Sequence, residues 1–231
     1  MNDRKKVYLQ LINIYRASNK TQYVEDIYKK LCKKYHTSLE IWSAYLEFLF
    51  EAKSNAGDGE NEHTEPKVIL QRALQALPKE NHINVISKFG MLEFKTGNPE
   101  QGRTMFEGIV SNYPKRMDIW SIYMDMEVKY GSKDADNSVQ ARHLFERCLS
   151  NDDIMKKPKK MKLVFRKYME FENALGNQAK LDALRKRVEE YLESAFKKDE
   201  SDAEQEAGSA QSNSDSDAEM QEESEAEEDS N

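Results

Sequence analysis

One spacing constrains this chain more than any other: a large apolar or aromatic residue, two residues, an aromatic, two residues, an apolar residue, and often a glutamate. It reads Trp42–Tyr45–Phe48, Ile86–Phe89–Leu92–Glu93, Trp120–Tyr123–Met126–Glu127 and Phe165–Tyr168–Phe171–Glu172, with a weaker first copy at Tyr8–Leu11–Ile14. Steps of three and four put such side chains on one face of a helix. A second helical pattern follows each copy, at Ile27–Tyr28–Leu31, Ile69–Leu70–Ala73–Leu74, Met105–Phe106–Ile109–Val110, Leu144–Phe145–Cys148–Leu149 and Leu184–Val188. From each leading residue, the reference position of the second helix (Tyr28, Leu70, Phe106, Phe145, Arg185) lies 20, 28, 20, 25 and 20 residues on. Successive leading residues are 34, 44, 34 and 45 apart. A two-helix unit of 34 residues is a solenoid period, in which each unit buries its apolar face on the next.

The fold expected is therefore all-α: an α-solenoid of about five helix–turn–helix repeats over residues 1–197. The extra residues fall mainly in Lys53–Glu65, Ser132–Ser138 and around Asn151–Lys157, polar stretches expected to be solvated loops. Gly97–Asn98–Pro99–Glu100 supplies a left-handed stop, an N-cap, a first-turn proline and a carboxylate at the positive helix end. Gly176–Asn177 repeats the stop and cap at the same offset. Pro66, Pro78, Pro99, Pro114 and Pro158 all fall at expected helix boundaries, where proline costs no interior hydrogen bond.

Charge is distributed unevenly. Residues 199–231 hold fourteen of the 42 acids and no Lys or Arg, which leaves 28 acids against all 35 bases in residues 1–198. The net charge of −7 thus hides a basic body and an acidic tail. With no aromatic after Phe196, the tail over 198–231 cannot bury a core and is expected to be disordered. Ser201, Ser214, Ser216 and Ser224 each have an acid three residues on, a spacing that suits an acidophilic kinase, although such a tract makes these matches nearly unavoidable. The tail is expected to compete with nucleic acid for the body.

No apolar run approaches the roughly 20 residues needed to span a bilayer, and the start of the chain lacks a secretory pattern. Cys32 and Cys148 sit beside helix-pattern apolar residues and read as core fillers in a reducing compartment. His36, His63, His82 and His143 are scattered singly, never at ligand spacing with a cysteine, and read as surface or helix-flank residues rather than a metal site. There is no phosphate-cradling glycine motif, and Gly57–Asp58–Gly59 reads as a flexible turn. Glu93, Glu127 and Glu172 recur at one repeat position, which points to a shared structural job, such as pairing with a second-helix base like Arg147. Neither enzymatic activity, a cofactor, a metal nor a small-molecule substrate is expected.

The aromatic stripe Trp42, Tyr45, Phe48, Phe89, Trp120, Tyr123, Phe165 and Tyr168 is expected to pack repeats, although such rings can also stack bases. The better binding candidates are basic. Lys115–Arg116 after Pro114 and Lys159–Lys160 after Pro158 open leading helices at equivalent positions, and Lys156, Lys157, Lys162, Arg166 and Lys167 extend the second cluster. Cations aligned along one edge suit a phosphate backbone.

Trp120–Glu127 followed by Ala141-Arg142-x-Leu144-Phe145-Glu146-Arg147 resembles the half-a-tetratricopeptide (HAT) repeat of RNA-processing scaffolds. More specifically, Val85–Phe89 with Leu92–Phe94, Tyr113–Ser121, Pro158–Lys162 leading into Phe165–Tyr168, and Leu11–Tyr15 resemble the C-terminal region of the ribosomal RNA-processing protein five (programmed cell death protein eleven) family, over residues 5–195. That family also carries a long series of OB-type RNA-binding repeats, which nothing here resembles. The resemblance implies a nuclear, nucleolar scaffold of ribosome biogenesis and rRNA processing in the small-subunit processome, contacting pre-rRNA and assembly proteins. Scaffolding in pre-mRNA splicing or 3′-end formation, and a pure protein adaptor, are the alternatives.

Overall fold

In a computed structural model, residues 2–18, 20–56, 63–131 and 137–194 are described. The gaps and the tail take with them Gly57–Asp58–Gly59, Ser201, Ser214, Ser216 and Ser224, which lie outside the described residues. Among the described residues all regular structure is helical. Five antiparallel pairs follow the 34-residue register: α1 (Asn2–Ala17) with α2 (Thr21–Lys34), α3 (Leu39–Ala56) with α4 (Pro66–Ala76), α5 (His82–Lys95) with α6 (Pro99–Asn112), α7 (Met117–Tyr130) with α8 (Asn137–Leu149), and α10 (Pro158–Ala174) with α11 (178–194). A 3₁₀ turn, Lys79–Asn81, precedes α5 and a short helix α9, Asp152–Met155, precedes α10. The HAT-like helix pairs expected from the spacing are the fold observed.

The chain forms two compact units, Met1–Lys160 and Met161–Asn231. In the first, α3, α5 and α7 each pack on the second helix of the pair before, and α3 packs on α5 as α5 does on α7. Apolar residues at the repeat positions, such as Leu31, Ile41, Leu46, Ile69 and Phe89, are buried there. In the second unit, Phe165, Tyr168, Leu181 and Leu184 are buried, and Phe165 packs on Tyr191 with ring centroids 6.1 Å apart.

The tightest pair is α5 with α6, because two glycines let the helices approach. Phe94 lies over Gly102 and Phe106 over Gly90; a Cβ on Gly102 would stand 2.4 Å from the Phe94 ring. Gly97 and Gly176 take positive φ, 90° and 69°, as left-handed stops require.

Three local expectations are corrected. Asn177 accepts from the Lys180 N–H at 3.2 Å and caps α11, but Asn98 makes no such bond at α6. The Asn98 side chain is drawn to the buried Glu93 carboxylate instead. The stretch 151–157 is not merely a solvated loop: Asn151 caps α9, whose Ile154 is fully buried. Among the described side chains of α1, Ile12 is buried and Ile14 is exposed.

Candidate nucleic-acid interface

The first unit gathers some of the basic residues but also supplies acids to them. Pro114 ends one helical segment and breaks the chain into a turn, from which Lys115 projects into solvent. The Lys160 ammonium donates to the Lys115 carbonyl at 2.8 Å, so the turn before α7 and the start of α10 are joined. Asp153 on α9 sits 3.3 Å from Lys115. Arg116 places its fork on Asp118 at 2.8 and 2.6 Å, and this pairing raises the guanidinium pKa and lowers that of the carboxyl. Lys156, Lys157 and Lys159 are exposed beside them. In the second unit Lys162 and Arg166 are exposed on α10, with Glu170 3.9 Å from Arg166, and Lys167 is half-buried. The structure thus brings Lys115 and Lys160 together, and turns Arg116 toward its own acid.

A second basic run escaped the spacing analysis. On α2, Lys30, Lys33 and Lys34 are exposed, while Lys29 turns to Glu25 at 2.9 Å. The run Lys29-Lys30-Leu31-Cys32-Lys33-Lys34 was the available signal, hidden because it straddles the buried Leu31 and Cys32.

Between α6, α7 and α8 lies an open groove of about 500 Å³, lined by Glu107, Pro114, Trp120, Arg147 and neighbours. Arg147 lies 5.0 Å above the Trp120 ring and gives two hydrogen bonds to Glu107, at 3.0 and 2.8 Å. Tyr123 donates to the same carboxylate at 2.9 Å; burial and this acid push the phenol pKa upward.

The aromatic stripe is turned inward. Trp42, Tyr45, Phe48, Phe89, Trp120, Tyr123, Phe165 and Tyr168 are all buried. Tyr28 stacks on Tyr45 at 5.2 Å and Phe106 on Tyr123 at 5.1 Å, two ring stacks at equivalent repeat positions 78 residues apart. Trp42 and Trp120 each donate their indole N–H to a carbonyl six residues back, of His36 and Pro114, at 2.8 and 3.0 Å.

Among the recurring glutamates, Glu127 clamps successive pairs, though not through Arg147. Glu127 on α7 receives two hydrogen bonds from Arg103 on α6, at 2.9 and 2.6 Å. Burial raises the Glu93 pKa, opposed chiefly by Lys67, which holds in α4 the register position of Arg103 in α6. Glu172 is fully buried at the equivalent position of α10. The first junction inverts this rule: Leu49 replaces the glutamate, and the buried acid is Glu25 on α2. It accepts from Tyr45 (3.1 Å), Thr64 Oγ1 and N (2.6 and 3.2 Å) and pairs with His63 Nδ1 (2.6 Å). Burial raises its pKa, but the bonds from Thr64, Lys29 and His63 outweigh that and hold it at about 2. His63 is therefore not a surface histidine; its ring also meets the Phe48 ring edge-on at 5.4 Å.

Among the described residues no group of three His, Cys, Asp or Glu is placed to hold a metal, and no helix is long and apolar enough to cross a membrane. Paired helices, inward aromatics and inter-pair carboxylate clamps define a helical-repeat protein. The chain belongs to the HAT-repeat family: the family model "PRP39 N-terminal HAT repeat" matches residues 81–202. It is similar to Protein RRP5 homolog of Mus musculus (35% identity over 193 residues) and to rRNA biogenesis protein RRP5 of Arabidopsis thaliana (35% over 194), each covering 84% of this chain. It is also similar to rRNA biogenesis protein rrp5 of Schizosaccharomyces pombe, 34% identical over 80% of the chain. The chain spans about a tenth of the length of these relatives, at 10%, 9% and 10%.

Proposed function

We propose that this chain is a non-catalytic scaffold module of ribosome biogenesis, supporting pre-rRNA processing and small-subunit assembly in the nucleolus through contacts with pre-rRNA and assembly proteins. The observation that carries this reading is the similarity, in an animal, a plant and a yeast, to proteins named for rRNA biogenesis, over an alignment that takes in 84% of this chain in two of them. Its HAT repeats give the role a physical form: stacked helix pairs hold side-chain arrays at fixed spacing over a long surface. The RNA-facing part of the proposal falls on Lys115, Lys156, Lys157, Lys159 and Lys160 of the first unit, with Lys162, Arg166 and Lys167 of the second. Arg116 contributes less, because Asp118 already holds its fork. Crosslinking of RNA to the protein in cells tests this. Recovery of pre-rRNA supports it; recovery of pre-mRNA transfers the scaffold to splicing or 3′-end formation, and recovery of no RNA makes it a protein adaptor.

A further inference from the structure

The groove between α6, α7 and α8 holds a side-chain arrangement that helix pairing does not require. All of its residues lie in the first unit. Trp120, which lines it, is only 3% exposed and offers no free ring face. The surface presented there is the Arg147 guanidinium, 5.0 Å over the indole and with its side chain 38% exposed. Two hydrogen bonds to Glu107, at 3.0 and 2.8 Å, fix it in place. The two earlier junctions of the unit pack without this trio. At the register positions of Glu107, Trp120 and Arg147 they carry Lys29, Trp42 and Arg72, and then Gln71, Ile86 and Gly108. A planar cation anchored in this way is a preformed stacking platform, with little side-chain freedom left to lose.

We propose that this groove takes one unstacked nucleobase of a single-stranded RNA, which stacks on the outer face of the Arg147 guanidinium. This rests on the RNA-contact reading above and adds a base site to it. Unstacked bases are held on arginine planes and read along their edges. The edge partners here are specific. Glu107 Oε1 already accepts from Tyr123 and Arg147, whereas Oε2 accepts from Arg147 alone and keeps a lone pair for an amino group. Asn151 gives its Oδ1 to the Asp153 N–H at 3.0 Å, which leaves its amide NH2 as a donor toward a ring nitrogen. An amino group beside an acceptor nitrogen is the edge of adenine or cytosine; uracil has no amino group. Neighbouring cations bring the strand there. Pro114 on the groove wall precedes Lys115, and Asn151 caps α9, whose far end is Lys156. An acidic peptide, the other partner such cations suit, meets the Glu107 carboxylate here instead of a free cation.

Fluorescence anisotropy with the full chain and three end-labelled strands of equal length tests this: oligoadenylate, oligouridylate and an abasic ribose-phosphate strand. Oligoadenylate is expected to bind roughly fivefold or more tighter than either of the others, the scale of one stacked base. Ser111 lines the groove and is exposed, so Ser111→Phe should fill the groove and abolish that preference while Tm and binding of the abasic strand stay as in the parent. Arg147→Lys keeps the charge but loses the plane, and should reduce the preference as well. If the parent binds all three strands equally, or if Ser111→Phe keeps the preference for oligoadenylate, the base site is overturned and the backbone contact stands. Binding of none of the strands overturns both and leaves the groove to a protein partner.

Discussion

Arg103 on α6 and Glu127 on α7 meet through two hydrogen bonds, at 2.9 and 2.6 Å, with the carboxylate almost fully buried. The pair joins the second helix of one repeat to the leading helix of the next. Breaking a buried pair from one side strands the other charge, so Glu127→Ala should destabilise the chain by about 3 kcal/mol. Glu100, paired to Arg103 at 2.5 Å, softens the loss. Chemical denaturation should also show the double change Arg103→Met with Glu127→Met costing far less than Glu127→Ala alone.

The Glu25 latch gives an acid-dependent stability. Its folded pKa of about 2 lies below the ordinary 4.5, so its contribution is present above pH 4.5 and disappears as pH falls toward 2. Glu25→Gln should lower Tm at pH 7, and the gap from the parent should close on titration to pH 2. A gap that stays constant across that range contradicts the latch.

Gly102 is where helix propensity and packing conflict. Alanine is the better helix former by about 1 kcal/mol, yet its Cβ would press on Phe94 at 2.4 Å. Overpacking of this kind costs roughly 1–3 kcal/mol. Gly102→Ala is expected to lower Tm, and Phe94→Leu in the same chain to restore part of the loss.

Exposed cations set the RNA prediction. Lys156→Glu, Lys157→Glu and Lys159→Glu together should weaken single-stranded RNA binding and reduce the slope of log affinity against log salt by about 2, at roughly 0.7 per lost contact. Arg116→Glu alone should change little, since Asp118 occupies the guanidinium. Deleting residues 199–231 removes fourteen acids and should tighten binding to random RNA at low salt.

Both thiols are buried and pushed up to about 12, by burial first in each case. Native protein should therefore react with a disulfide reagent only at the rate of its opening, and fully when denatured.

The spacing in the chain determined the number of helix pairs, their boundaries at Pro66, Pro99 and Pro158, and the inward face of the aromatic stripe. It did so because helix period and apolar burial are local properties, read within about 30 residues. Tertiary structure alone decided which charges meet. Glu127 found Arg103 rather than Arg147, and Arg147 went to Glu107 and Trp120, because inter-pair distances depend on how closely two helices approach. His63 likewise looked like a stray surface residue until the return of the 53–65 insertion placed it on Glu25, 38 residues away in the chain.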